Sequence, residues 1–254
     1  MFRLCVLAVT TLLLAHTPAF AQTDGQKWWI DVNFGAATSA ADDEAYVYTG
    51  TLFQEPYSLA AAYPKPSTGA SFDVGVGRMI TPRIGFGLSL SGTAHEDSVG
   101  LGATIPHPFF FNEEVVASAV TDEKLPRVEG GFNIQLMVNA VQTSSARVRL
   151  YAGPTFFSFE ADMVRDLDFD QFATALSRSN EVDITGFEAV KTEGTGVGFH
   201  VGADASYFFS RHVGVGAFGR FSRGTVTIDE PMSELEQDVR VGGFQAGAGL
   251  HMRF

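Results

Sequence analysis

The feature that most constrains this chain is a two-residue alternation of bulky apolar with small or polar side chains, repeated in segment after segment. Residues 28–36 (WWIDVNFGA) place Trp28, Ile30, Val32 and Phe34 on one side and Trp29, Asp31, Asn33 and Gly35 on the other. That period belongs to a β-strand, whose successive side chains point to opposite faces. The same pattern runs through 71–80, 84–91, 129–139, 147–156, 197–209, 213–221 and 241–254. The eight segments are close to the 9–11 residues that a tilted, bilayer-crossing strand needs.

The connections alternate as well. Turns at Thr81-Pro82-Arg83, Thr143 to Ala146 and Ser210-Arg211-His212 are short, whereas 38–68, 99–125, 165–193 and 229–239 are long. Short turns on one rim and long loops on the other are the layout of an outer-membrane barrel, with both termini on the short-turn, periplasmic side. The 27 glycines and 23 phenylalanines point the same way. Large side chains outside and small ones inside suit a narrow tube standing in lipid better than a soluble sandwich, whose apolar face turns inward. Closing the sheet also pairs every backbone group, as the bilayer demands. The expected fold is therefore all-β, an eight-stranded antiparallel up-and-down transmembrane β-barrel.

The N-terminus reads as a targeting segment. Arg3 precedes an apolar run from Leu4 to Ala15, and Ala19-Phe20-Ala21 is a small-x-small cleavage site. Residues 1–21 are thus expected to be a removed signal peptide, and 22–254 the barrel domain with its four long surface loops. The run is too short to cross about 30 Å as a helix. Cys5 is the only cysteine and is not placed as a lipobox cysteine, which follows the apolar run, so the mature chain carries no disulfide framework and no thiolate metal site. No later stretch approaches 18 apolar residues, which excludes a helical membrane protein. A net charge of −12 argues against nucleic acid as a partner.

Three features together resemble the eight-stranded outer-membrane β-barrel family that includes OmpA-like and opacity-type surface proteins. The last segment ends on Phe254, with Met252, Leu250, Ala248 and Ala246 in phase. Residues 207–215 (YFFSRHVGV) look like the family's aromatic strand, tight turn and returning strand, and the signal peptide with four loops and three turns matches its layout. The resemblance covers nearly all of 27–254. It implies that Phe254, Met252 and Leu250 are read by the barrel-assembly machinery. No sequence follows Phe254, so the peptidoglycan-binding domain of some OmpA relatives, and the tether it provides, are not expected.

Charged residues on the lumen side are the first functional candidates: Asp31, Asp73, Glu129, Arg149, His200, Asp204, Arg220, His251 and Arg253. Opposite charges in a narrow, low-dielectric tube must pair, since unpaired burial costs several kcal/mol each. The expectation is a structural salt-bridge network that plugs the tube, with gating as the alternative. Trp28, Trp29, Tyr151, Phe156, Tyr207 and Phe209 lie near segment ends and are expected to form interfacial girdles.

Other chemistry is disfavoured. Lipid A deacylase barrels carry serine two residues after histidine; His95, His107, His200, His212 and His251 are followed at that spacing by Asp97, Phe109, Gly202, Gly214 and Arg253. Gly214 to Gly219 matches GxGxxG, but the strand pattern continues through Arg220 and Phe221, where a nucleotide site needs a helix. Asp166, Asp168 and Asp170 resemble the start of a calcium loop, yet Gln171 stands where its glycine belongs. Asp168 and Gln171 before Phe169, Phe172, Ala173 and Leu176 suggest a short surface helix.

The expected protein is thus an integral outer-membrane barrel, not an enzyme, with no cofactor and no metal, and with a structural or surface-interaction role such as envelope integrity or adhesion. Alternatives are a narrow porin-like channel for small solutes and a lipid-modifying enzyme. Expected partners are outer-membrane lipid and lipopolysaccharide, the assembly machinery, and an extracellular partner met through the acidic loops.

Overall fold

The computed structural model describes residues 27–52, 54–107, 109–110, 113–169, 183–233 and 235–254. Twelve strands follow one another: β1 (Trp28–Ala37), β2 (Glu44–Leu52), β3 (Glu55–Tyr63), β4 (Gly69–Met79), β5 (Ile84–Asp97), β6 (Gly100–Pro106), β7 (Glu114–Val120), β8 (Leu125–Gln142), β9 (Ala146–Phe169), β10 (Ile184–Phe208), β11 (Val213–Glu230) and β12 (Leu235–Arg253).

Eight of them close an antiparallel barrel in the order β1-β12-β11-β10-β9-β8-β5-β4. These eight contain all eight alternating segments of the sequence. β1 seals the tube by pairing with β12 (Asp31 opposite His251) and with β4 (Asp31 opposite Gly75). Successive partners climb around the wall from Phe34 through Phe72, Gly92, Gly130, Ser158, Thr195 and Thr227 to Asp238, which is the stagger a tilted, closed sheet requires.

The apolar phase faces outward. Leu136 is 61% exposed while Met137 beside it is 1%. Phe34, Phe72, Phe86, Leu88, Leu90, Phe132, Ile134, Val201 and Leu250 are likewise exposed on the barrel's outer face. So wide an apolar surface suits lipid and not water.

The long connections are more ordered than their sequence suggests. β9 continues through Phe169, β10 starts at Ile184, and β11 and β12 run up to Glu230 and Leu235, so four barrel strands project well above the apolar band. Asp168 and Phe169, expected to open a helix, lie in β9; the remainder of that expected helix, Gln171 to Leu176, falls outside the described residues. The first two connections pair with each other as a second sheet, β2-β3-β6-β7. Its inner face (Leu59, Ala61, Leu101, Ala103, Ile105, Val115 and Ala117) packs on Val164 and Leu167 of the tall wall and on Met232. Sequence reading missed this sheet because its strands are short and set among acidic residues. Their alternation becomes decisive only when a wall is present to receive it.

The barrel interior as candidate functional site

Because β-strand phase turns every second residue inward, nine charged positions of one phase meet in the lumen. Asp31, Asp73, Glu129, Arg149, His200, Asp204, Arg220, His251 and Arg253 are all buried. They form stacked layers with distinct partners.

At the short-turn end Arg253 makes a floor. Its guanidinium lies 3.9 Å from the Phe208 ring centroid and donates to the backbone carbonyls of Arg211 (3.1 Å) and Ser144 (2.7 Å), lacing two turns together. Arg147 lies over the other side of the same neighbourhood, 5.1 Å from Phe208.

One layer up, Arg149 of β9 bridges Asp31 of β1 and Asp204 of β10, the latter at 2.7 Å, and stands 4.4 Å over the Trp29 ring. His251 Nδ1 lies 2.9 Å from Asp31 and 3.0 Å from the Ser206 hydroxyl. Above this, Arg220 of β11 donates to Asp73 of β4 (2.7 Å) and to Gln245 of β12 (3.0 Å). A neutral chain runs beside it. Thr155 donates to Asn133 (2.8 Å), Asn133 donates to the Ser89 and Ser91 hydroxyls, and His200 Nδ1 meets the Thr155 oxygen at 2.8 Å. With the threonine proton committed to Asn133, His200 is the donor in that contact, which assigns its proton to Nδ1.

Glu129 and Arg127 form the top layer, and they serve the backbone of the opposite wall. In β12, Gly242 and Gly243 are both at positive φ (99° and 140°), conformations that favour glycine. Glu129 accepts the Gly242 N–H at 2.7 Å. Arg127 pairs with Glu129 at 3.0 Å and donates to the Arg240 carbonyl at 2.9 Å. One acid and one base thus supply the acceptor and donor that a neighbouring strand would otherwise provide.

Above the charges the tube is blocked by an apolar plug of Phe157, Phe159, Ala161, Met163, Val226, Ile228, Val239 and Val241. Below it, a small polar chamber lies between Trp29, Asn33, Asp73, Arg149, Arg220 and His251. Trp29 Nε1, Asn33 Oδ1, Arg149 Nη1 and His251 Nε2 have no protein partner there, a donor and acceptor set that suits ordered water. A second, largely apolar cavity lies higher, at the barrel mouth, among Tyr63, Val99, Leu125, Phe159 and Ile228. Outside the membrane span, burial raises the Tyr63 phenol well above its ordinary pKa, and its oxygen accepts the Val164 N–H at 2.7 Å.

Four of the six expected girdle aromatics (Trp28, Phe156, Tyr207 and Phe209) face outward. Trp29 and Tyr151 do not: both are buried in the lumen with Met137. Nearness to a strand end suggested the girdle, but Trp29 shares the phase of Asp31, and Tyr151 that of Arg149. Phase decides the face. Arg147, Arg127, Asn133, Thr155 and Gln245 also belong to the network without having been among the charged candidates. Arg147 and Arg127 stand two residues before Arg149 and Glu129, so the alternation itself carries the signal that finds them.

The lumen brings Ser206, His251 and Asp31 together, but not as a nucleophilic relay. That chemistry needs serine and aspartate on opposite ring nitrogens; here both meet Nδ1 and Nε2 has no partner. Among the described residues no cluster of three His, Cys, Asp or Glu has the arrangement of a metal site.

A closed eight-stranded barrel with an apolar outer belt and a charge-filled interior is the architecture of an integral β-barrel membrane protein. Residues 7–251 match the outer membrane protein beta-barrel domain family, and the chain belongs to that family. Solved structures similar to it include Neisserial surface protein A (12% identity, 91% of this chain and 100% of that one, TM-score 0.47). Another is the outer membrane protein OprG from Pseudomonas aeruginosa (14% identity, 90% and 96% coverage, TM-score 0.44). A third is the outer membrane protease OmpT from Escherichia coli (10% identity, 92% and 99% coverage, TM-score 0.41). No curated protein matches the chain.

Proposed function

We propose that this protein is a sealed outer-membrane barrel whose work is structural and surface-facing: it holds a rigid extracellular sheet above the membrane for envelope integrity or contact with another surface. One observation carries the reading. The lumen is crossed by the Arg253 floor, by ion-paired layers (Arg149 with Asp31 and Asp204, Arg220 with Asp73) and then by the apolar plug around Phe157 and Phe159. An ion entering from the short-turn end meets fixed charges and then hydrocarbon, and one entering from the loop end meets them in the reverse order, so conduction is disfavoured.

Residues 1–21 serve as the export signal in this reading, and Phe254, Met252 and Leu250 as the signal for assembly. The outward aromatics meet lipid and lipopolysaccharide. The acidic rim, including Asp42, Asp43, Glu113 and Glu114, faces an extracellular partner. The narrow channel is the second reading, favoured by the unpartnered polar atoms of the small polar chamber. Planar-bilayer recording of the purified, refolded protein separates the two. The sealed barrel gives no discrete current steps, whereas reproducible ohmic steps from pure protein overturn it in favour of the channel.

A further inference from the structure

Carboxylates are segregated along the barrel axis. At the short-turn rim the exposed ionised side chains are Lys27, Arg78, Arg83 and Arg211, and among the described residues of that rim there is no aspartate or glutamate. The opposite end carries the exposed carboxylates, Asp42, Asp43, Glu96, Glu113, Glu114, Asp122 and Glu123 among them, beside exposed cations such as Lys65, Lys124 and Arg240. Arg147 and Arg253 do not contribute outward, because both are buried in the floor of the lumen.

Apolar side chains are interleaved with the basic set. The Arg78 guanidinium lies 5.5 Å from the Trp28 ring centroid, and Trp28 is 52% exposed on the outer face. Ile80 stands between Arg78 and Arg83, Tyr207 and Phe209 lie beside Arg211, and all three are exposed. Rings at this depth sit at the level of lipid headgroups, and long basic side chains reach past them to the phosphates. A band with several cations, no carboxylate side chains and lipid-facing rings is complementary to a negatively charged headgroup layer.

We propose that the short-turn rim is a docking surface for anionic phospholipid in the leaflet it meets. Lys27, Arg78, Arg83 and Arg211 contact the phosphates, and Trp28 packs on the lipid beneath. The inference rests on the membrane-barrel reading above. Heat-modifiable gel migration reports barrel assembly separately from lipid preference, so failure of either is distinguishable.

The test uses Trp28 as the reporter, since Trp29 lies inside the barrel. Mature protein is folded into phosphatidylcholine vesicles containing brominated phosphatidylglycerol or, at the same mole fraction, brominated phosphatidylcholine. The anionic lipid is expected to quench as if enriched roughly fivefold around the protein at low salt, the attraction of about one cation per lipid. That enrichment should fall toward unity in 1 M NaCl, where the Debye length is about 3 Å. A Lys27→Gln/Arg78→Gln/Arg83→Gln/Arg211→Gln variant that assembles normally should lose it. Neutralising Glu113, Glu114 and Glu123 to Gln on the far rim should leave it intact. Equal quenching by the two lipids in the wild type, a preference that survives in the fourfold variant, or one that disappears in the far-rim variant overturns the proposal. Should the fourfold variant misassemble, Arg83→Gln alone with the salt titration decides: enrichment unchanged by both has the same overturning force.

Discussion

Arg149→Met perturbs the lumen where three strands depend on one side chain. The guanidinium joins β9 to β1 through Asp31 and to β10 through Asp204. After its removal Asp31 keeps His251 at 2.9 Å and Arg147 at 3.8 Å. Asp204 keeps the Ser206 hydroxyl at 3.2 Å and, among the described residues, no cation within ion-pair distance. Both carboxylates are almost fully buried, at 3% and 4% exposure. Deleting one partner of a buried pair costs about 3–5 kcal/mol, because the remaining charge has lost its compensation and cannot recover water. At about 1.4 kcal/mol per decade, that is a loss of roughly a hundred- to several-thousand-fold in the folding equilibrium. The stack on Trp29 falls within this figure.

The cost lies in the stranded charge and not in the missing contact, so neutralising that charge should restore most of it. Arg149→Met combined with Asp204→Asn is expected to recover most of the loss, since Asp31 keeps Arg147 and His251 and removing both charges of a buried pair is far cheaper than stranding one. The assay is urea-dependent unfolding in lipid vesicles, followed by gel mobility and tryptophan emission. A single-variant loss below about 0.5 kcal/mol, the scale of an exposed pair, refutes the assignment of Arg149 as a buried bridge. So does a double variant no more stable than the single one.

Two further outcomes follow from the same geometry. Leu136→Arg or Val201→Arg places a charge on the outward face at mid-strand, where both residues are exposed, and should destabilise assembly by about 2–4 kcal/mol in vesicle folding titrations; near-normal folding contradicts a lipid-facing phase. In the second sheet, outside the membrane span, burial raises the Glu44 pKa above its ordinary 4.5, with Arg127 opposing the shift. The folded form therefore binds this proton more tightly than the unfolded form. Its stabilising effect is present in acid and is lost as pH rises from the ordinary value through the raised one. Hydrogen exchange of β2 and β3 should become faster across that window relative to an unstructured reference, and Glu44→Gln should slow exchange at neutral pH and flatten the dependence. Wild-type protection that increases with pH there refutes this.

Much of this molecule is visible along the chain, for a local reason. A strand's two faces are set by parity, so Asp31, Asp73, Glu129, Arg149, His200, Asp204, Arg220, His251 and Arg253 can be placed inside, and Leu136 and Val201 outside, without knowing any neighbour. The same rule, applied strictly, places Trp29 and Tyr151 inside as well. Position near a strand end is a weaker cue than parity, which is why the girdle expectation failed for those two residues.

What parity cannot supply is register and height around the wall. Which acid Arg149 meets depends on the stagger between β9, β1 and β10, residues more than fifty positions apart in sequence. Glu129 finds the Gly242 N–H only because closure brings β8 across from β12. The second sheet exists because β9 to β12 rise above the apolar band and offer Val164, Leu167 and Met232 as a surface for it. Alternation, a property of adjacent residues, therefore determined the number of barrel strands and their inner and outer faces. The charge partners, the plug and the second sheet were decided by contacts between distant segments, whose free energy is defined only once the tube is closed.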